Sequence, residues 1–209
     1  MKTAVLDYDV GNLASVCQGL KRAGLDPFVT RDLPEIRLAR AVVLPGVGAF
    51  ATGMDNLRKY GLLPVINEIV EKGVPFLGIC LGMQLLFEES DEHGRYAGLS
   101  LLPGRVARFP EGLKIPHMGW NTLNIKKPAP LMQDIEQGSY VYFVHSYYVQ
   151  SADPAHIVAT TEYGLEFPAV VCCNNIMGLQ FHPEKSSRRG LQILENFGRM
   201  VRNGSYTGN

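Results

Sequence analysis

Apolar positions along the first half of the chain switch between two periods. Thr3–Leu6 is a short apolar run, the pattern of a strand buried on both faces. After a turn at Asp9–Gly11, Leu13, Val16, Cys17 and Leu20 stand at i, i+3, i+4 and i+7, one face of a helix. Asn12 predicts its N-cap, because a side-chain oxygen there can accept from a first-turn N–H, and Gly24 predicts its stop. Phe28–Thr30 and Ala41–Leu44 again read as strands, and a glycine loop, Pro45–Phe50, follows. Leu62, Val65, Ile66 and Ile69 return to helical spacing, with Pro64 in the first turn and Gly73 past the end. Pro75–Ile79 predicts a strand, and Cys80–Phe87 the start of a helix.

This βαβαβ alternation predicts an α/β fold whose central sheet is mostly parallel and flanked by helices. In the second half Leu101–Phe109, Trp120–Ile125, Tyr140–Val149, His156–Thr161, Ala169–Cys173 and Ile176–Phe181 all read as strands. Helical spacing returns only at Leu191, Leu194, Phe197 and Val201. The sheet is therefore expected to be mixed, with antiparallel additions and a closing helix. No repeat or linker divides the sequence, so residues 1–209 are expected to form one domain. Residues 203–209 are expected to fray.

Composition narrows the function. Among 209 residues, 20 Lys and Arg balance 20 Asp and Glu, which speaks against a nucleic-acid binder working through a basic face. A 46% hydrophobic share is enough for a core. The most apolar uncharged stretch, Gly73–Phe87, falls short of the roughly 18 residues a spanning helix needs. Residues 1–9 do not read as a signal peptide, so a cytoplasmic protein is expected. Cys17, Cys80, Cys172 and Cys173 match no zinc or C-x-x-C spacing and are expected to be thiols.

Gly46-x-Gly48-x-x-Ala51 after a strand is a formal match to a dinucleotide fingerprint, but the acids near the required offset, Glu68 and Glu71, fall in a helical segment. The loop otherwise reads as a turn needing positive φ, or as a strand that aims a backbone N–H at a developing negative charge. The last reading needs a nucleophile. Gly78-Ile79-Cys80-Leu81-Gly82 supplies one: G-x-C-x-G at a strand-to-helix junction is the cysteine form of a nucleophile elbow. There the thiol stands at a helix N-terminus, which favours an anion, and the Leu81 N–H points into the same space. A buried core cysteine is the plainer alternative.

A thiol nucleophile needs a base. Of the five histidines, His182 stands out because Pro183 holds it extended, which turns His182 and Glu184 to the same side. Glu184 can then orient His182, giving nucleophile, base and orienter in the order Cys, His, Glu.

With Gly-Ile-Cys80-Leu-Gly-Met-Gln84 and His182-Pro-Glu184 on the page, the chain resembles the class I, triad-type glutamine amidotransferases, which hydrolyse the side-chain amide of glutamine and pass the ammonia to a synthase. Asp7–Val16, Leu44–Phe50, Ile115–Asn121, Tyr142–Tyr147 and Gly178–Ser187 are most similar to one branch of that family, the glutaminase subunits of imidazole glycerol phosphate synthases. The resemblance implies a thioester mechanism without cofactor or metal. Cys80 would be the nucleophile, His182 the base and Glu184 its orienter. Gly48 and Leu81 would hold the oxyanion, and Gln84, Ser146 and Tyr147 would bind L-glutamine. It also implies a (β/α)8-barrel cyclase partner, which makes imidazole glycerol phosphate and an aminoimidazole carboxamide nucleotide. Trp120, Tyr142 and Lys185 would dock it, though core packing is the other reading of Trp120. Cys17, Cys172 and Cys173 are expected to be structural. Glycines on both sides of Val47 would let a peptide there rotate at low cost, with the donor N–H turned away until the partner docks.

Overall fold

The computed structural model describes residues 1–204. The chain runs β1 (Lys2–Leu6), α1 (Leu13–Arg22), β2 (Asp26–Thr30), α2 (Leu33–Arg37), β3 (Ala41–Leu44), α3 (Phe50–Lys59), α4 (Leu62–Glu71), β4 (Phe76–Ile79) and α5 (Leu81–Leu85). There follow β5 (Phe87–Ser90), β6 (Tyr96–Ala97), β7 (Leu102–Arg108), β8 (His117–Thr122), β9 (Asn124–Ile125), β10 (Tyr140–His145) and β11 (Tyr147–Ser151). β12 (Ile157–Glu162), β13 (Glu166–Cys173), β14 (Ile176–Leu179) and α6 (Ser187–Asn203) complete the order.

The main sheet is eight-stranded in the order β2-β1-β3-β4-β14-β13-β12-β9. β2 through β14 are parallel, and β13, β12 and β9 add antiparallel. Its centre is buried on both faces, so side chains of one strand feed two cores in alternation. Val5, Val43, Leu77 and Leu179 face α1 and α6, contributing with Leu20 and Phe197 to one cluster. Ala4, Leu6, Val42, Leu44 and Phe76 face α3, α4 and α5, contributing with Phe50, Met54, Ile66 and Leu85 to the other. A ribbon of β8 and β10 and a smaller sheet of order β11-β7-β5-β6 lie beyond the main sheet.

The predicted caps of α1 are present. Asn12 accepts from the Ser15 N–H at 3.2 Å, and Gly24 takes φ +78° after the helix. Several boundaries differ from the pattern. Phe50, Met54 and Leu57 make α3, unmarked in the sequence because Gly48 and Gly53 break its look; Gly53 is there because Leu85 packs against it. The helix expected over Cys80–Phe87 is one turn long, and the chain is extended again from Phe87. Tyr140–Val149 is two strands, not one. The chain breaks at Ser146, so that β10 pairs with β8 and β11 with β7. Trp120–Ile125 likewise starts earlier, at His117, and breaks at Leu123. Asn203 does not fray: it ends α6, closed by Gly204 in the left-handed conformation. Residues 205–209 lie outside the described residues.

Candidate active site

Cys80 sits where β4 gives way to α5, at φ 55° and ψ −108°, a conformation that a non-glycine residue adopts at a cost of about 1–3 kcal/mol. The neighbours explain how it persists. A Cβ on Gly82 would stand 1.8 Å from the Leu44 carbonyl oxygen, and one on Gly78 would stand 2.6 Å from that of Gly82. Only glycines let the turn close this tightly. The Cys80 N–H donates to the Leu179 carbonyl at 2.7 Å, tying the elbow to β14. The thiol is buried and donates to the Val144 carbonyl at 3.8 Å.

β14 is the parallel neighbour of β4, with Leu179 opposite Ile79. The residues just past both strand ends therefore meet, which places His182 beside Cys80. His182 is extended as predicted, at φ −95° and ψ 98°, before a 3-10 turn over Pro183–Lys185. Its Nδ1 lies 2.9 Å from Glu184 Oε1, and the two side chains are 3% and 2% exposed. His182 Nε2 is buried and has no hydrogen-bond partner in the resting geometry. Burial pushes the imidazole downward, but the neighbouring Cys80 sulfur and the Glu184 carboxylate outweigh it and raise His182 to about 10, which favours its holding the thiol's proton.

A cavity of about 420 Å³ opens at Cys80, lined also by Gly48, Gln84, Glu92, Ser146 and Tyr147. Gln84 Nε2 donates to the Tyr147 carbonyl at 2.9 Å and to Gln180 Oε1 at 3.1 Å. Gln180 is fully buried, its own Nε2 4.0 Å from the Cys80 sulfur. The Leu81 N–H is already occupied: it donates to the Gly46 carbonyl at 3.3 Å. Gly48 takes φ +106°. The glycine strand is pinned from behind by Tyr8, whose buried hydroxyl donates to the Pro45 carbonyl at 2.5 Å.

Sequence reasoning gave Glu92, Gln180 and Tyr8 no role; each acts through a partner remote in the chain. Glu92 is the one acid lining the cavity among the described residues, and its Oε2 accepts from the Phe50 N–H at 2.6 Å. Glu68 pairs with Arg37 and Lys72 on a helix, so the dinucleotide reading lacks its ribose-binding acid. A larger groove of about 810 Å³ along residues 125–137 contains none of the candidate residues.

Trp120 is not core: it is 53% exposed on the β8–β10 ribbon, beside exposed Met118 and Tyr140. Its ring meets that of Tyr142 edge-on at 6.0 Å. Tyr142 also touches the His182 segment, since its carbonyl accepts from the His182 N–H at 2.9 Å. Lys185 is exposed on the adjoining turn. Cys172 and Cys173 pack on opposite faces of the sheet, and Cys17 packs against the α1–α6 core.

The chain matches the family model of the class-I glutamine amidotransferases over residues 4–201. Its curated relatives include the imidazole glycerol phosphate synthase subunit HisH of Moorella thermoacetica, 53% identical over 98% of both chains. The subunit of the same name from Caldanaerobacter subterraneus subsp. tengcongensis is 52% identical over 95% of this chain and 98% of its own. Among solved structures, a glutamine amidotransferase superposes with a TM-score of 0.73 at 22% identity, covering 94% of this chain and 98% of that one. PurLQS from Thermotoga maritima superposes with a TM-score of 0.70 at 20% identity, covering 97% of this chain and 98% of the other. Both show the shared fold.

Proposed function

The chain belongs to the class-I glutamine amidotransferase family, and we propose that it is the glutaminase subunit of imidazole glycerol phosphate synthase, supplying ammonia to a cyclase subunit in histidine biosynthesis. The observation that carries the reading is the convergence of Cys80, His182 and Glu184 at the ends of two paired parallel strands, with His182 and Glu184 in contact at 2.9 Å. We take residues 1–209 as one glutaminase domain, working in the cytoplasm as a heterodimer with a (β/α)8-barrel cyclase.

In this mechanism the Cys80 thiol gives its proton to His182 Nε2, and the sulfur attacks the side-chain amide carbon of glutamine. The resulting oxyanion needs N–H donors. Leu81 is one, once the Gly46 carbonyl leaves it. Gly48 is the sequence-based choice for the second; Val47 is the better candidate, because its N–H lies opposite the Gly46 carbonyl on the same peptide, which turns about Gly46 ψ and Val47 φ. Each donor is worth roughly 10²–10³ in rate. The tetrahedral intermediate collapses as His182 hands the proton to the departing nitrogen, leaving a glutamyl thioester and ammonia. Water, deprotonated by His182, then cleaves the thioester to glutamate and restores the thiol.

Gln84, Ser146 and Tyr147 bind the glutamine, and Glu92 meets its α-ammonium, the complementary charge. The ribbon of Met118, Trp120 and Tyr142, with Lys185, docks the barrel. The test is glutamate release from glutamine, with and without the barrel cyclase and its nucleotide ligand. Release that depends on Cys80 and rises with the liganded cyclase is expected; no release in any condition refutes the reading.

A further inference from the structure

A hydrogen-bond chain with a buried histidine pair at its centre joins the ribbon of β8 and β10 to the wall of the cavity. Asn121 Nδ2 lies 2.8 Å from the Glu162 carbonyl and 3.2 Å from His117 Nε2. His117 Nδ1 lies 3.0 Å from His145 Nε2, across the directly opposed pair of β8 and β10. His145 Nδ1 lies 2.8 Å from the Tyr147 carbonyl. Nothing in the thioester mechanism uses either ring.

The proton positions follow from the chain's two ends. A carbonyl only accepts, so His145 carries its proton on Nδ1 and presents a bare Nε2. His117 must then donate from Nδ1 and accept on Nε2 from the Asn121 amide. Asn121 cannot be reversed, because its Oδ1 accepts from the Thr122 N–H at 2.8 Å. Burial holds both rings well below the usual histidine range, His117 at about 4 and His145 at about 3, so both are neutral around pH 7. Stacking of His117 on Tyr163 at 4.2 Å and on Phe143 at 4.9 Å fixes its ring plane.

Resting on the reading of this cavity as the glutamine site, we propose that His145, held in its tautomer by His117 and Asn121, is a positioning residue for glutamine binding that acts through the Tyr147 carbonyl and Gln84. The Tyr147 carbonyl accepts from both His145 Nδ1 and Gln84 Nε2, which fills its two lone pairs and fixes its direction. The second Gln84 N–H is committed to Gln180 Oε1. The carboxamide is thus locked with Oε1 as its free end, so Gln84 offers substrate an acceptor only. Without the His145 donor, the carbonyl and the amide hydrogen-bonded to it lose that orientation.

The test uses Cys80→Ala protein, which binds without turnover, and measures the Kd for L-glutamine calorimetrically. Adding His145→Leu is expected to raise Kd about tenfold or more, a lost buried hydrogen bond. Adding His145→Asn, whose Nδ2 takes the place of Nδ1, is expected to bring it back within about threefold of the parent. Equal binding by the leucine variant and the parent overturns the proposal, as does an asparagine variant as weak as the leucine one. A parent that binds no glutamine refutes the glutaminase reading instead. Nitrogen-15 histidine spectra of the unmutated chain test the same point without any substitution. Nδ1–H tautomers at both rings, with the His145 signal shifting on addition of glutamine, are expected. An Nε2–H tautomer at either ring, or a His145 signal indifferent to saturating glutamine, overturns the proposal.

Discussion

The Gly46 carbonyl accepts from the Leu81 N–H at 3.3 Å, so the peptide between Gly46 and Val47 presents an oxygen where the proposed oxyanion would need a donor. The glycine strand is in an incompetent state that a rotation of one peptide would correct. Tyr8 anchors the strand one carbonyl earlier, at Pro45, which leaves the rotation to Gly46 ψ and Val47 φ. A ligand can drive it only by binding the rotated state more tightly, and moving from about 1:99 to 99:1 takes roughly 5.5 kcal/mol of differential binding. The isolated chain is therefore expected to bind glutamine yet turn it over slowly. The liganded cyclase should raise kcat far more than it changes KM. Steady-state kinetics of the chain alone and in complex check this; equal turnover in both removes the switch.

Position and chemistry single out Cys80, the one cysteine that lines the cavity. Burial pushes Cys172 up to about 12 and raises Cys17 and Cys173 as well, so those three are poor nucleophiles. A thiol-alkylating glutamine analogue should label Cys80 alone, and Cys80→Ala should lose glutaminase activity while keeping its fold. Peptide mapping after labelling reads the outcome; modification at Cys17 or Cys172 accompanied by loss of activity contradicts it.

His182 and Glu184 should separate by role. His182→Asn removes the proton carrier and is expected to cost about 10²–10⁴ in kcat/KM, more than Glu184→Gln, which removes only the orienter. The pair also makes a stability prediction. His182 is raised to about 10 by Cys80 and Glu184 despite its burial, from an ordinary value of 6.5. A raised folded value stabilises fully below the unfolded one and is lost as pH climbs through the folded one. The Tm advantage of the native chain over Glu184→Gln should therefore be widest below pH 6.5 and shrink toward pH 10. A gap that widens with pH inverts the assignment.

What the sequence showed, and what it hid, divides by chain distance. The elbow was legible because Gly78, Cys80 and Gly82 form it among themselves, and His182 with Glu184 because Pro183 sets their geometry locally. Unbroken apolar runs in β1, β3 and β4, buried on both faces, made the parallel centre readable. Glu92, Gln180 and Tyr8 were invisible: each matters through a partner from a remote segment, as Tyr8 does through Pro45. The break at Ser146 was hidden for a related reason. Tyr140–Val149 has unbroken strand character, and only the competing partners β8 and β7 decide that it divides. The blocked Leu81 N–H is a matter of one peptide's orientation, which no residue type specifies.

Gln84→Ala should act on binding. Its carboxamide joins Tyr147 to Gln180 and leaves its oxygen for substrate, touching no bond that breaks. KM for glutamine is expected to rise about tenfold or more, with a smaller fall in kcat. A pure kcat effect would place Gln84 in the chemistry instead.

Two glycine-to-alanine changes test whether close approach, and not glycine's flexibility, builds the elbow. At Gly82 the added methyl would stand 1.8 Å from the Leu44 carbonyl oxygen, which belongs to the central strand β3 and cannot move aside cheaply. At Gly198, inside α6, the nearest atoms, the Ala23 carbonyl oxygen and Leu25 Cγ, would be 3.4 Å away, an ordinary contact. Gly82→Ala is therefore expected to destabilise by several kcal/mol, lowering Tm by about 10 °C or more in a chain of this length, or to prevent soluble folding. Gly198→Ala is expected to be neutral or to stabilise by about 0.5–1 kcal/mol, since alanine loses less backbone entropy in a helix. Both are glycines in helices with negative φ, so helix propensity alone predicts a gain at each. Thermal unfolding of the two variants distinguishes the accounts: a Gly82→Ala protein as stable as the parent would mean that the elbow relaxes, and the strain at Cys80 would then have to be held by something other than the packing of α5 on β3.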